Sequence, residues 1–284
     1  MIWVIANSKD EDGSFPTYKY YKKAFADGRI DIYCANQNDD FSFLRKEDTA
    51  FIRTRDENIN NCVREAQKAI GFKSTLESKL TCLLTYDKVC VKSALSVHGI
   101  PFPSSICEVD NEIGRKYFVK PRYGGDSIGI DAGSICSTKS QVEEKCTLLK
   151  DMEIIPMVER YIEGRDVTTA VIYSSKDDSL KIYSAFTDAD NPYGIQMDST
   201  KSGYSFVASS FKDERVERMS RRVFDAVGAR HYLRIDFRIS DDIPYVIDIN
   251  MIPGLAPNGY MAKCMEVNDM GYYDMVRMVV GSAF

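Results

Sequence analysis

Histidine is almost missing from this sequence, since only His98 and His231 occur among 284 residues. This scarcity excludes histidine-rich metal centres and leaves a Ser–His–Asp hydrolase with at most two candidate bases. No two of the eight cysteines lie three residues apart, so the Cys-x-x-Cys pairs of zinc and thioredoxin sites are missing. No glycine precedes a lysine and no two glycines lie two residues apart, which excludes the P-loop and the Gly-x-Gly dinucleotide motif.

Strong charge and long apolar runs are also missing. Lys and Arg total 37 against 42 Asp and Glu, and this net charge of -5 predicts no nucleic-acid or anionic-membrane partner. No apolar run approaches the roughly 18 residues of a membrane helix. The apolar start of the chain is too short for a secretory signal. We therefore expect a cytoplasmic globular protein with reduced cysteines.

Predicted strands and helices alternate near the N-terminus, whereas further along the chain several strands follow one another between helices. Residues 2–7 and 50–55 have the pattern of buried strands, and residues 58–70 that of a helix that Gly71 ends. The alternation predicts a parallel α/β unit, followed by an α+β region, in three lobes. Further strands are predicted at 116–120, 128–134, 156–161, 167–173 and 180–186, and helices at 17–25, 87–98, 139–149 and 213–228. The polar stretch 187–203 is long enough to predict a functional loop.

The segment 232–250 has the most informative pattern. Both arms alternate with period two, so Arg234, Asp236, Asp248 and Asn250 share one face of a predicted hairpin. The other face takes Leu233, Ile235, Phe237, Ile247 and Ile249. A turn midway between the arms sets Asp236 opposite Asp248, with Cβ atoms about 5 Å apart. Facing carboxylates beside an amide oxygen suit Mg²⁺ completed by water and phosphate oxygens, and an ordinary solvated hairpin face is the alternative.

The segment 117–129 predicts a strand that ends at Lys120 and continues into a glycine-containing loop. Gly124 and Gly125 let backbone amides approach an anion, and Lys120 supplies a point charge for a phosphate. A plain hairpin turn is the alternative. The loop also spells Gly125-Asp-Ser-Ile-Gly129, the Gly-x-Ser-x-Gly pattern of serine hydrolases. A nucleophile elbow needs a helix directly after the serine, and no helix start follows here, so a hydrolase is disfavoured.

Four segments, in this order, resemble the ATP-grasp superfamily and, within it, the D-alanine–D-alanine ligase branch. They are Tyr86-Asp-Lys88 with His98-Gly-Ile-Pro-Phe-Pro103, Phe118-Val-Lys-Pro121 with its loop, Val158-Glu-Arg-Tyr-Ile-Glu-Gly-Arg-Asp166, and Arg234-Ile-Asp236 with Val246-Ile-Asp-Ile-Asn-Met-Ile-Pro-Gly-Leu255. The resemblance implies an ATP-grasp fold behind an N-terminal parallel α/β (pre-ATP-grasp) domain. It divides the chain into that domain at 1–86, a central lobe at 87–162 and a C-terminal lobe at 163–284.

The resemblance implies which residues bind ATP. These are Lys88, Lys120, Gly124, Gly125, Ser127, Glu159, Ile162 and Asp166. The two lysines would contact the phosphates and the glycine loop would fold over them. Glu159 and the backbone near Ile162 would hold the adenine, and Asp166 the ribose hydroxyls.

The resemblance also implies a metal site and catalytic groups. Asp236, Asp248 and Asn250 would bind two Mg²⁺ ions, with Mn²⁺ as a substitute. Arg234 and the Gly254 amide would stabilise the oxyanion of a tetrahedral intermediate, and Lys201 is the candidate lid lysine for the γ-phosphate.

The reaction that the resemblance implies has two steps. A carboxylate attacks the γ-phosphate of ATP to give an acyl phosphate and ADP, and an amine then displaces phosphate to form an amide. The expected partners are a small-molecule carboxylate and amine, and a homodimer is compatible with the resemblance.

The sequence departs from the D-alanine–D-alanine ligase pattern around the substrates. Asp248 and Asp166 stand where glutamate is usual, and Glu11 is a loose match for the donor-site glutamate. Asn258-Gly-Tyr260 replaces a Ser-Leu pair near the acceptor, and the usual lid tyrosine and lysine are not recognisable in 187–203. We therefore expect a ligase that joins another carboxylate and amine. The alternatives are a D-alanine–D-alanine ligase, a non-catalytic ATP-binding protein and another ATP-grasp reaction such as acyl-phosphate release.

Overall fold

The computed structural model describes residues 1–9, 14–25, 27–109, 114–125, 127–189 and 206–283. Glu11, Lys201 and all but the first residues of the predicted loop 187–203 lie outside this part of the chain. Three sheets are present in it, one from each of the three predicted segments, and the exact domain boundaries stay a prediction. Within the described ranges, no helix is both long and apolar enough to cross a membrane.

The N-terminal sheet is parallel, as predicted, with the strand order β2-β1-β3-β4. Its elements are β1 (Ile2–Asn7), α1 (Ser14–Ala24), β2 (Ile30–Ala35), β3 (Thr49–Ile52), α2 (Glu57–Ile70) and β4 (Lys73–Ser74). Helix α2 begins after Asp56, whose carboxylate accepts from the Asn58 and Ile59 amides, and ends at Gly71 in the left-handed conformation. The sequence pattern did not predict β2, an edge strand that is buried at Ile30 and Ala35 and exposed at Asp31 and Cys34.

The central sheet is antiparallel, with the order β6-β5-β7. Helices α3 (Lys79–Tyr86) and α4 (Lys88–Val97) precede β5 (Tyr117–Pro121), β6 (Ile135–Cys136), α5 (Lys139–Asp151) and β7 (Pro156–Arg160). The predicted strand 128–134 is wrong. Gly129 has a φ of 72° there, and Asp131 caps a short 3-10 helix, so the chain turns and pairs with β5 only at β6.

The C-terminal sheet is antiparallel, with the order β10-β9-β8-β11-β12. Its elements are β8 (Arg165–Ser174), β9 (Ser179–Ala189), β10 (Phe206–Ser210), α6 (Glu214–Ala226), β11 (Tyr232–Ser240), β12 (Ile243–Asn250), α7 (Tyr260–Glu266) and α8 (Tyr272–Gly281). One apolar cluster joins β8 to α8 and to the N-terminal strands through Ile172, Met275 and Phe51. A second joins β11 to α4 and α6 through Leu233, Leu95 and Val223. Both faces of this sheet are therefore covered.

Candidate active site

A cavity lies between the central and C-terminal sheets and encloses about 1000 Å³, including solvent at its mouth. Ten of the predicted site residues line it: Lys88, Lys120, Gly125, Ser127, Glu159, Ile162, Asp166, Arg234, Asp236 and Asp248. Gly124, Asn250 and Gly254 are not among its lining residues. The fold thus brings most of the predicted residues together, while their individual roles stay predictions.

A buried carboxylate between two lysines forms one wall of the cavity. Glu159 Oε1 lies 2.5 Å from Lys92 Nζ, and its Oε2 lies 2.9 Å from Lys120 Nζ. All three residues are buried. Burial lowers the pKa of Lys92, and the attraction of Glu159 opposes that shift. The sequence reasoning missed Lys92, although its position four residues after Lys88 on α4 puts both lysines on one face of that helix.

Lys88 connects the glycine loop to the hairpin. Its Nζ donates to the carbonyl oxygen of Gly124 and lies 3.7 Å from Asp248 Oδ1. Burial lowers the pKa of Lys88, and Asp248 opposes that shift. Ser127, further along the loop, has a φ of 55°, so the chain turns sharply beside the cavity. Lys88, Gly125 and Ser127 therefore line one end of the cavity. The Gly124 amide donates to the Tyr86 carbonyl oxygen at 3.1 Å, so it is not available to an anion in this structure.

An ion pair fixes the start of helix α4. Asp87 caps the helix, and its carboxylate accepts hydrogen bonds from Arg122 Nε at 2.9 Å and Nη2 at 2.7 Å. These hydrogen bonds hold the pKa of the Asp87 carboxyl well below its usual range. Because Arg122 precedes the glycine loop, the pair fixes Lys88 relative to that loop.

The hairpin of β11 and β12 confirms the predicted opposition of Asp236 and Asp248. Beyond that pair the register changes, so that Phe237 faces Val246 and Ile247 is the extra residue of a β-bulge. The assignment of Ile247 to the apolar face is therefore wrong, because one additional residue reverses the alternation of side chains. Ile247 lines the cavity instead. Its carbonyl oxygen accepts from Lys120 Nζ at 3.0 Å.

Asp236 is half-buried, with 20% of its side chain exposed, among groups that hold its charge. Arg234 Nη2 donates to Asp236 Oδ2 at 2.8 Å, and Thr168 Oγ1 donates to Asp236 Oδ1 at 3.0 Å. Burial raises the pKa of Asp236; Arg234 opposes the shift and Asp248 adds to it. Two carboxylates facing each other create a local excess of negative charge, which a cation can relieve.

The donor set of the hairpin fits Mg²⁺. Asp236 and Asp248 supply carboxylates, and the described residues contain no cluster of three or more His, Cys, Asp and Glu that would enclose a metal. A site with two carboxylates suits Mg²⁺, which keeps water or phosphate oxygens as its other ligands. Asn250 Oδ1 accepts from the Ile252 amide at 3.1 Å. The Asn250 Nδ2 atom is buried and has no hydrogen-bond partner within the described residues. It lies close to Gly125, where an added Cβ would be 3.6 Å from it.

A buried ion pair occupies the end of the cavity where the ribose ligand was predicted. Arg238 Nε donates to Asp166 Oδ1 at 2.7 Å. Arg238 Nη1 donates to the Tyr161 hydroxyl at 3.0 Å and to the Ile162 carbonyl oxygen at 3.4 Å. No motif contains Arg238, so the sequence analysis missed it; a basic residue two positions after the predicted metal ligand Asp236 was the available signal.

The turn after β12 is held from the N-terminal domain. Arg53 is buried, and its Nη2 donates to the Pro253 carbonyl oxygen at 2.8 Å. Arg55 Nη2 donates to the Ile252 carbonyl oxygen at 3.2 Å. Gly254 follows directly and is exposed. The predicted oxyanion donor therefore lies on a turn that two arginines hold in place.

Tyr260 forms an aromatic wall beside Arg234. Its ring stacks on Phe206 with centroids 4.0 Å apart, and the Arg234 guanidinium lies 5.4 Å from the Tyr260 centroid. Tyr260 also lines the cavity. This is the segment in which the sequence departs from the Ser-Leu pair of D-alanine–D-alanine ligases.

Comparisons with known proteins identify relatives of this chain. Curated relatives include D-alanine–D-alanine ligase A of Bacillus cereus, 23% identical over 229 residues that cover 77% of this chain and 74% of the relative. The D-alanine–D-alanine ligase of Francisella tularensis subsp. novicida is 26% identical over 250 residues that cover 84% of this chain and 81% of the relative.

Solved structures share the fold over nearly the whole chain. The D-alanine–D-alanine ligase from Bacillus anthracis complexed with ATP has a TM-score of 0.74 at 19% identity and covers 99% of this chain and 96% of that one. The VanG D-Ala:D-Ser ligase from Enterococcus faecalis has a TM-score of 0.75 at 16% identity and covers 99% of this chain and 98% of that one. The family model for the D-Ala–D-Ala ligase C-terminus matches residues 103–281. The chain therefore belongs to the D-alanine–D-alanine ligase family of ATP-grasp enzymes, whose members form a carbon–nitrogen bond and release ADP.

Proposed function

We propose that this ATP-grasp ligase joins a small-molecule carboxylate to an amine through an acyl phosphate. We further propose that its two substrates are not a pair of D-alanine molecules. One observation carries the proposal: the facing carboxylates Asp236 and Asp248 share a cavity with Lys88, Lys120 and Arg234. Two carboxylates for a cation, two lysines for phosphates and an arginine for an oxyanion are what phosphoryl transfer to a carboxylate requires.

The proposed mechanism assigns charge neutralisation to residues of the cavity wall. Lys88 and Lys120 bind phosphate oxygens of ATP. Mg²⁺ would be held by Asp236, Asp248 and Asn250, and when bound it would neutralise negative charge on the phosphates. A donor carboxylate oxygen attacks the γ-phosphorus, the bond to the β,γ-bridging oxygen breaks, and ADP leaves.

The second proposed step forms the amide. The amine nitrogen attacks the acyl carbon, and Arg234 with the Gly254 amide stabilises the oxyanion of the tetrahedral intermediate. The carbon–oxygen bond to phosphate then breaks, and the nitrogen loses a proton to solvent. Among the described residues, Arg234 reaches the cavity directly, whereas Gly254 acts from the turn that Arg53 holds.

The aromatic wall beside Arg234 supports an acceptor other than D-alanine. Tyr260, stacked on Phe206, places a large ring next to Arg234, and the sequence has no Ser-Leu pair there. A flat apolar wall favours an acceptor with an apolar or aromatic group over one with a single methyl. D-Alanine–D-alanine ligase activity is the second candidate, which the names of the relatives favour.

Further parts of the proposal concern ions, assembly and location. We infer two Mg²⁺ ions, because two facing carboxylates and the phosphates of ATP offer enough oxygens for both. We also propose a homodimer, for which the resemblance to the ligase family is the only support. We infer a cytoplasmic location, since all eight cysteines are free thiols and ATP is supplied there.

The test is ADP and phosphate release from Mg-ATP with single and paired amino acids of both configurations, including D-alanine. Release that requires one carboxylate and rises with a second amine supports the ligase, and D-alanine as the best pair overturns the substrate proposal. Asp248→Asn should abolish release, whereas Asp242→Asn, an exposed aspartate in the turn of the same hairpin, should keep it. ATP binding without release from any pair would favour the non-catalytic alternative.

A further inference from the structure

Arg238 is a buried cation in the cavity that neither the proposed chemistry nor any motif explains. It lines the cavity with 5% of its surface exposed. It lies on β11 directly opposite Asp166 of β8 in the antiparallel register. A buried arginine persists only where its donors are satisfied, so its contacts indicate what it does.

The guanidinium of Arg238 holds one oxygen of Asp166. Both Nε and Nη2 lie 2.7 Å from Asp166 Oδ1. Within the described part of the chain, no group donates a hydrogen bond to Asp166 Oδ2. Asp166 lines the cavity, so the arrangement fixes the carboxylate plane and leaves one oxygen to accept from a ligand.

The same guanidinium holds the chain segment that connects the central and C-terminal sheets. Its Nη1 donates to the Tyr161 hydroxyl at 3.0 Å and to the Ile162 carbonyl oxygen at 3.4 Å. Gly164 lies so close to β11 that a Cβ there would be 2.0 Å from the Ile239 carbonyl oxygen and 3.3 Å from Arg238 Cγ. The segment 161–164 is therefore packed directly on the strand that carries Arg238.

Arg238 also keeps Asp166 in its charged form. Burial raises the pKa of Asp166 to about 6, with Asp236 and Asp188 adding to the shift, and Arg238 is the group that opposes it. At neutral pH the carboxylate is thus ionised. A charged acceptor makes a stronger hydrogen bond to a hydroxyl than a neutral one does.

We propose that Arg238 is a positioning residue that sets nucleotide specificity: it orients Asp166 toward the ribose hydroxyls, and its hydrogen bonds to Tyr161 and Ile162 hold the guanidinium in place for that role. The inference rests on the proposed function, because it takes the cavity to be the ATP site. It goes beyond that function by assigning ribose discrimination to a residue outside the shared motifs.

The experiment compares the dissociation constants of ATP, 2′-deoxy-ATP and 3′-deoxy-ATP with the full-length protein by calorimetry, without substrates. The wild type should prefer ATP over at least one deoxynucleotide by roughly tenfold to hundredfold, the value of a hydrogen bond to a charged group. Arg238→Lys keeps the charge but has a single nitrogen, which cannot serve Asp166, Tyr161 and Ile162 together. It should weaken ATP binding by the same factor, roughly tenfold to hundredfold, and leave the deoxynucleotides nearly unchanged, so that the preference disappears.

A matched control comes from the neighbouring pair of Arg165 and Asp188, whose side chains are about half exposed. Arg165→Lys should keep both affinity and preference. Tyr161→Phe removes one acceptor of Arg238 without touching its charge, and should lower the preference by a smaller factor. It serves as the second probe if Arg238→Lys does not fold.

The outcomes separate the two proposals. A wild type that does not bind ATP overturns the proposed function and this inference with it. A wild type that prefers ATP, with the same preference in Arg238→Lys, overturns the inference alone. Equal weakening of ATP and deoxynucleotides in Arg238→Lys assigns Arg238 a merely structural role and also overturns it.

Discussion

Glu159→Gln should strongly destabilise the central lobe. The substitution keeps the shape of the side chain and removes its charge. Lys92 and Lys120, at 2.5 and 2.9 Å from the carboxylate, would then be buried cations without their counter-ion. Breaking a buried ion pair by removing one partner costs about 3–5 kcal/mol. The carbonyl oxygens of Pro103 and Ile247, which accept from the two lysines, remain in place and favour the lower end of that range.

Native-state hydrogen exchange measures this loss where it occurs. Strands β5 and β7 carry Lys120 and Glu159, so their amides report the opening of this lobe. At about 1.4 kcal/mol for each factor of ten, the expected loss corresponds to roughly hundredfold to several-thousandfold faster exchange. Amides of β1 in the N-terminal sheet should change much less.

An exposed ion pair in the same region gives the control. Glu163 lies 2.7 Å from Lys116, but both side chains are largely exposed to solvent. Glu163→Gln should therefore cost no more than about 1 kcal/mol. If Glu159→Gln changes exchange as little as this control does, the argument that burial makes the lysine–glutamate cluster costly to break is refuted.

Three further changes test separate parts of the structure. Asp87→Asn keeps the helix cap but loses the charge that Arg122 binds. It should cost about 1–2 kcal/mol of unfolding free energy at pH 7. Because the folded-state pKa of Asp87 is lowered, this difference should shrink as the pH falls below about 4, and a pH-independent difference in urea unfolding would contradict the reasoning. Gly164→Ala should lower the melting temperature markedly, since its Cβ would meet the Ile239 carbonyl oxygen; an unchanged melting temperature would show that this approach is not tight. Lys120→Ala should weaken ATP binding by roughly tenfold or more, and unchanged calorimetric affinity would mean that the lysine is not a phosphate ligand.

Local sequence patterns predicted the structure correctly where a short stretch of chain determines the geometry. The end of α2 at Gly71 follows from neighbouring positions in the sequence, whereas its N-cap, Asp56, was not predicted. The opposition of Asp236 and Asp248 follows from strand parity and one short turn, so it too was predictable. The prediction of a strand at 128–134 failed because Gly129, at a positive φ, breaks an apolar alternation that would otherwise fit a strand.

By itself, then, the sequence determined the family, the parallel sheet at the N-terminus and the pair of facing carboxylates, because motifs, periodicity and parity act over a few residues. Only the tertiary structure decided that Ile247 turns into the cavity, that Glu159 pairs with Lys92, and that Arg238 holds Asp166. These partners come from different strands or helices, so their contacts depend on how separate elements pack. A bulge, too, arises from the pairing of two strands, and the pattern of either strand alone does not contain it.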